Sequence, residues 1–189
     1  MEKVKLPNRP VGPLPTVLAG VEVDGRPNYV TIGACGVVSL DAVLYISLKS
    51  THFSTRGVKE NGYFSVNIPS AAMVDKTDYC GIVSGRDTDK STLFTPFYNE
   101  AGKAPMIKEC PMNYLCKVIN SIEMFGFEMF FGEIIAVYVD EQCLIDGKPD
   151  PLKVDPMLMM GSSYYSLGQV VGDVFKDGVE FKNKLVQEG

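Results

Sequence analysis

Three stretches of the chain gather side chains that can do chemistry. Residues 47–55, Ser-Leu-Lys-Ser-Thr-His-Phe-Ser-Thr, set Ser47, Lys49, Ser50, Thr51, His52, Ser54 and Thr55 between a strand and a helix start. Hydroxyls, a cation and a helix N-terminus together make an anion site. The same stretch also reads as a well-capped helix with solvated polar residues. Residues 84–90, Ser-Gly-Arg-Asp-Thr-Asp-Lys, place Arg86 and Lys90 around acids. Alone this is a surface turn with ion pairs that contribute little; joined to the first stretch it supplies the cation for one phosphate. Residues 28–39, Asn-Tyr-Val-Thr-Ile-Gly-Ala-Cys-Gly-Val-Val-Ser, carry Thr31, Gly33, Ala34, Cys35 and Gly36 inside an apolar strand. Small residues let a flat ligand approach the backbone closely. They also suit a β-bulge or a barrel corner.

Other chemistries are excluded by counting. His52 is the single histidine, so multi-histidine zinc sites and HExxH proteases are ruled out, and any Ser-His or Cys-His mechanism would have to run through it. Neither GxGxxG nor a Walker sequence occurs, which argues against a Rossmann unit. The five cysteines (Cys35, Cys80, Cys110, Cys116, Cys143) include no CxxC pair. They read as reduced thiols, and Cys110 and Cys116 as small core residues. A net charge of −5 leaves no basic excess for nucleic acid. No apolar run reaches membrane-spanning length, and the proline-bearing start has no apolar signal-peptide core. The expectation is a cytoplasmic protein that binds neither nucleic acid nor membrane.

The elements that must position these residues are mostly strands. Pro7, Pro10, Pro13 and Pro15 mark residues 1–14 as an extended arm before a single domain over 15–189. Residues 16–23 form a strand ending at Asp24-Gly25, a turn signal, and residues 28–39 resume as its hairpin partner. Residues 42–49 form another strand. Ser54 is expected to cap a helix that ends at Asn61-Gly62, with Val58 facing the core. Residues 63–68 form a strand stopped by Pro69, and Ser70 caps a second helix with Ala71, Ala72, Val74 and Tyr79 as its apolar content. Residues 113–120 and 129–139 are strands, followed by a turn at Asp146-Gly147; Met157, Met159 and Met160 fill core. The 129–139 segment is apolar on both faces, apart from Glu133 and the neighbouring Glu128, so something covers it on each side. Several antiparallel strands with few short helices make a mainly β fold, a barrel with helical decoration.

In this order and spacing, from about Pro15 to about Gly172, the stretches resemble the flavin reductase-like, FMN-binding split-barrel family, in particular its flavoredoxin branch. Residues 25–43 resemble the flavin-cradling strand and loop, residues 47–69 the phosphate loop and helix, and 84–90 the family's Ser-Gly-x-x-x-Asp-Lys turn. Residues 130–141 resemble its Gly-Glu strand, and 164–172 its closing Tyr-x-x-x-Gly segment. The resemblance implies a six-stranded antiparallel Greek-key split barrel that dimerises and binds FMN near each interface. Thr31, Ile32, Gly33, Ala34 and Cys35 would line the ring and ribityl chain, with Ser47, Leu48 and Lys49 beside them. His52, Ser54 and Lys90 would hold the phosphate. Where the family has Arg-Tyr-Thr, this chain has His52-Phe53-Ser54, exchanging a permanent cation for a group mostly neutral near pH 7. Where the family often has a histidine tied to nicotinamide handling, this chain has Phe127. The implied functions are electron transfer through bound FMN, with a ferredoxin-like redox partner; NAD(P)H-dependent flavin reduction, with Tyr164 or Tyr165 handling the nicotinamide; or ligand binding without catalysis.

Overall fold

The computed structural model describes residues 2–8, 12–100 and 103–188, so Pro10 of the expected arm lies outside the described residues. Seven strands form one sheet: β1 Val17–Val23, β2 Arg26–Ile32, β3 Cys35–Ser39, β4 Val43–Lys49, β5 Tyr63–Ile68, β6 Met112–Met124 and β7 Phe127–Val139. Their order is β2-β1-β5-β6-β7-β4-β3, and every pairing is antiparallel. The hairpins β1–β2 and β6–β7 close on Asp24-Gly25 (φ 52° and 72°) and Phe125-Gly126 (φ 51° and 76°). Two left-handed residues in a row give the primed turn whose twist matches that of the strands.

The topology forces closure. Strands β2 and β3 lie at opposite edges of the sheet, yet only Gly33 and Ala34 separate them in the chain. Two linking residues reach at most roughly 10–11 Å. The edges of a flat seven-stranded sheet lie roughly 29 Å apart at about 4.8 Å per strand. The sheet therefore rolls up, and residues 26–39 act as one bent strand that pairs at both edges. This is the expected six-stranded barrel, with the bent strand interrupted at Gly33-Ala34 where an unbroken strand was read from the sequence.

The interior is filled by Val17, Ala19, Val21, Ile46, Leu48, Phe64, Val66, Cys116 and Phe130. Phe64 needs Gly132 opposite it, because a Cβ there would stand 2.5 Å from the Phe64 ring. Helix α1 (Phe53–Asn61) packs Val58 into this core, and Gly57 lets it approach the backbone of β1 at Glu22. Its exposed Lys59 forms an ion pair with Glu128, the buried acid of β7, which also accepts a 3.0 Å bond from Ser121. A second cluster (Leu18, Tyr29, Cys80, Phe94, Ile107, Cys110) covers the outside of β1 and β2.

Helix α2 (Val74–Ile82) follows a single 3-10 turn, Ala71–Met73. It buries Thr77 and Cys80, whereas Val74 and Tyr79, expected at its apolar face, are exposed. A small sheet joins Leu14–Pro15 to β8 (Met157–Met160) and β9 (Ser163–Ser166). Of the methionines expected in the core, Met157 is buried and Met160 is exposed. A one-turn helix α3 (Pro151–Val154) precedes that sheet, and α4 (Lys176–Glu188) ends the described chain.

Strand β7 has the two apolar faces expected of it, and the barrel core covers one of them. Its inward positions Glu128, Phe130 and Gly132 are buried, but Phe127, Ile135 and Val137 are exposed. Among the described residues, none covers that second face. Among the described residues, no helix is long and apolar enough to cross a membrane.

Candidate functional site

The start of α1 is built without a capping side chain. His52 is the extended residue before the helix (φ −66°, ψ 144°), and no side chain bonds the first-turn N–H groups. The Thr55 N–H turns back to His52 O at 3.1 Å, and the other first-turn donors and the positive end of the helix dipole are left for a ligand. Ser54, expected as the cap, is the second helical residue and is buried. Its Oγ accepts a 2.8 Å bond from Asn28 of β2, which leaves the hydroxyl proton free to donate. Thr55 Oγ1 donates to Lys49 O at 2.8 Å and the His52 N–H to the same oxygen at 2.9 Å, so the 49–55 loop is held rigid.

The 84–90 turn folds against this helix start, as the anion reading required. Gly85 lies on Asn28, where a Cβ would stand 2.0 Å from Asn28 Oδ1, so only glycine brings the loop this close. Lys90 at its end is 3% exposed. Its Nζ donates to Val83 O at 3.0 Å and to Cys80 O at 3.4 Å, at the C-terminal end of α2. A cation there is favoured by the helix dipole. No carboxylate pairs with it among the described residues, and burial lowers its pKa. Arg86 reaches Thr51 O at 3.5 Å from the exposed side.

His52, Phe53, Ser54, Val83, Ser84 and Lys90 line one cleft. His52 Nδ1 is buried there without a partner. Burial, then the charges of Lys49 and Lys90, push the His52 pKa down, which keeps the ring neutral at neutral pH. An incoming phosphate reverses both effects, because it supplies the missing partner and offsets the lysines. An unpartnered buried nitrogen, a lysine with only carbonyls around it and an uncapped helix start together fit an anionic group.

A second cleft shares Gly81 and Ile82 with the first and is lined by Thr31, Ile32 and Gly33. The Thr31 hydroxyl is already spent on a bond to Thr77 O of α2. Ile32 and Leu48 point their side chains into the barrel core, so only their backbones can meet a ligand. Ala34 O accepts from Ser47 N at 2.9 Å, which ties the strand break to β4. Cys35 packs against the core, where burial pushes its thiol up to about 11. Lys49 is exposed and forms no ion pair among the described residues. The structure thus brings His52, Ser54 and Lys90 together, and sets Thr31 to Gly33 in the adjoining cleft. Asn28, which holds Ser54, and the carbonyls at the end of α2, which hold Lys90, support the first cleft. Sequence reasoning did not single them out, since an asparagine in a strand and a helix end give no sign of meeting.

A rolled antiparallel barrel, with an anion cleft where its bent strand meets the first helix, defines a class of cofactor-binding split barrels. The chain belongs to the flavin reductase like domain family, which it matches over residues 12–168. It is similar to the crystal structure of flavoredoxin from Methanosarcina acetivorans, with 43% identity over 96% of this chain and 100% of that one, and a TM-score of 0.92. Flavoredoxin of Desulfovibrio vulgaris (Miyazaki F) is 36% identical over 94% of this chain and 100% of its own, with a TM-score of 0.88. An uncharacterized protein of Archaeoglobus fulgidus is 31% identical over 71% of this chain and 75% of its own.

Proposed function

We propose that this chain binds FMN and passes electrons through it as a flavoredoxin-like carrier. The observation that carries this reading is the cleft in which buried Lys90, the unpartnered His52 Nδ1 and the Ser54 hydroxyl meet the uncapped start of α1. Charge-assisted bonds to a phosphate are among the strongest a protein makes. The likeness to two flavoredoxins supports the choice of flavin. Bound FMN supplies the hydride and one-electron chemistry, while the chain binds and orients it. Gly33 and Ala34 offer backbone at the strand break, with Cys35, Ser47 and Lys49 around it. Titrating the apoprotein with FMN and riboflavin tests the reading. FMN should bind more tightly by at least an order of magnitude, and equal affinities would remove the phosphate assignment.

The donor follows from Phe127, which starts β7 opposite Lys49 and is 43% exposed. A phenyl ring can stack on another ring but donates no hydrogen bond to a carboxamide or pyrophosphate. We expect slow reduction by NADH and NADPH and fast reduction by a low-potential one-electron donor such as reduced ferredoxin. Stopped-flow bleaching separates these, and rapid saturable reduction by NADH would move the protein to the flavin reductases.

The exposed apolar face of β6 and β7 favours a homodimer. Ile119, Ile122, Met124, Phe127, Ile135 and Val137 are each 40% exposed or more, and a patch of this kind marks an interface. Five free cysteines with no disulfide fit a reducing, cytoplasmic setting.

A further inference from the structure

The C-terminal arm beyond β9 buries nothing within its own chain. Every described residue from Gly168 to Leu185 is exposed, and Val171 and Phe175 are 93% and 87% open to solvent. Within α4, Val179, Phe181, Lys182 and Leu185 stand three or four residues apart and share one face, with Glu180, Asn183 and Lys184 on the other. A helix of 13 residues is marginal in water unless its apolar face is packed, and Gly178 inside it lowers its propensity further. Strand β7 presents a matching surface. Phe127, Met129, Phe131, Glu133 and Ile135 form its open row, alternating with the buried positions Glu128, Phe130 and Gly132. Ile122 and Met124 of β6 lie opposite Met129 and Phe127 and widen that row. The helix face carries one charge, Lys182, and the open row of β7 carries one of opposite sign, Glu133. Neither forms an ion pair among the described residues, although Lys117 lies opposite Glu133 in the sheet.

We infer that the arm is exchanged between the two copies of a dimer. Helix α4 of each copy lays Val179, Phe181 and Leu185 on the open row of the other copy's β7, and Lys182 meets Glu133 of the partner subunit. The arm starts from β9, which the 2.7 Å Tyr164–Asp78 bond holds against α2 beside β2. Strand β7 lies beyond β4 from there in the rolled sheet. Residues 167–175, between Ser166 and Lys176, reach up to roughly 30 Å when extended, which spans to a second copy. A two-fold axis makes the exchange reciprocal and closed, so each open row is covered once. The inference rests on the homodimer reading and adds to it the segment that covers the open face.

Light scattering across a concentration series of the full chain tests this. Phe181→Asp with Leu185→Asp should weaken the dimer about tenfold or more. The urea midpoint of the monomer should not move, because α4 buries no side chain in its own chain. Glu133→Lys and Lys182→Glu should each weaken the dimer about fivefold. Their equimolar mixture should form heterodimers tighter than either variant alone, because in an exchanged pair both arms then meet the opposite charge. An arm folded back onto its own β7 would keep like charges together in the mixture, which would stay as weak as its components. That result, or a dimer indifferent to Phe181→Asp with Leu185→Asp, would overturn the exchange and leave the homodimer standing. A wild-type monomer at micromolar concentration would remove both.

Discussion

Strand β1 is buried at six of its seven positions, with only Glu22 partly open, whereas β7 is buried at three positions and open along its other face. Both strands belong to the same barrel and both are rich in apolar residues. The difference lies in what covers them from outside. Tyr29, Cys80, Phe94, Ile107 and Cys110 pack with Leu18 of β1, and Pro105 O sits where a Gly20 side chain would be. Over the outer face of β7 and the distal end of β6 none of the described residues packs, and Phe125 at their turn is fully exposed. One half of the barrel is covered by its own chain, and the outer face of β7 on the other half is left exposed. The strand break at Gly33-Ala34 joins the two edges of the sheet.

The contrast can be broken most forcefully in the shared interior. Phe64→Ala should cost about 3–5 kcal/mol, as large aromatic truncations in cores do, and urea denaturation should show it. Truncation of exposed Val137 on the open face should cost the isolated chain under about 1 kcal/mol. Similar losses at the two positions would mean that the open face is covered after all.

Charging the open face is the next test. Ile135→Asp with Val137→Asp should halve the mass seen by light scattering, from about twice the 20.7 kDa chain to the chain itself, with the urea midpoint of the monomer little changed. A wild-type monomer at micromolar concentration would defeat the dimer reading.

A smaller effect is expected in the anion cleft. Lys90→Met keeps the apolar stem and removes the charge, so FMN affinity should fall about 10- to 100-fold with riboflavin affinity unchanged. Fluorescence titration reads both. An equal loss for the two flavins would show that Lys90 holds the fold and not the phosphate.

The smallest effect is in pH. The folded pKa of His52 lies below its ordinary value of 6.5, so the unfolded chain binds the proton first. The stability that neutral His52 contributes is present above pH 6.5 and is lost as pH falls through the lowered folded value. Urea midpoints at pH 7.5 and 5.5 should therefore differ less in His52→Gln than in the wild-type apoprotein. Bound FMN should also reduce the difference, because the phosphate favours the protonated ring. An unchanged pH dependence in His52→Gln would remove His52 from the cleft's electrostatics.

The strands, their turns and the class of fold were legible because they depend on local signals: β-branched runs, Asp24-Gly25, Asn61-Gly62 and Asp146-Gly147. Chemistry by elimination was legible too, since one histidine and scattered cysteines exclude whole mechanisms whatever the fold. The pairing of residues 47–55 with 84–90 was read as possible, but only the fold brings Lys90 to the start of α1 and turns its amine onto Val83 O. Ser54 shows the limit. Its sequence context suits a cap, and yet it sits inside the helix bonded to Asn28, 26 residues away in the chain. Asn28 gave no usable sign, because it acts through a contact across the chain that composition and period do not encode. Hydrophobic pattern likewise showed that β7 has two apolar faces, but not which of them its own chain covers. Local sequence fixes backbone preference over a few residues, whereas burial and charge pairing depend on partners that only closure of the barrel brings within reach.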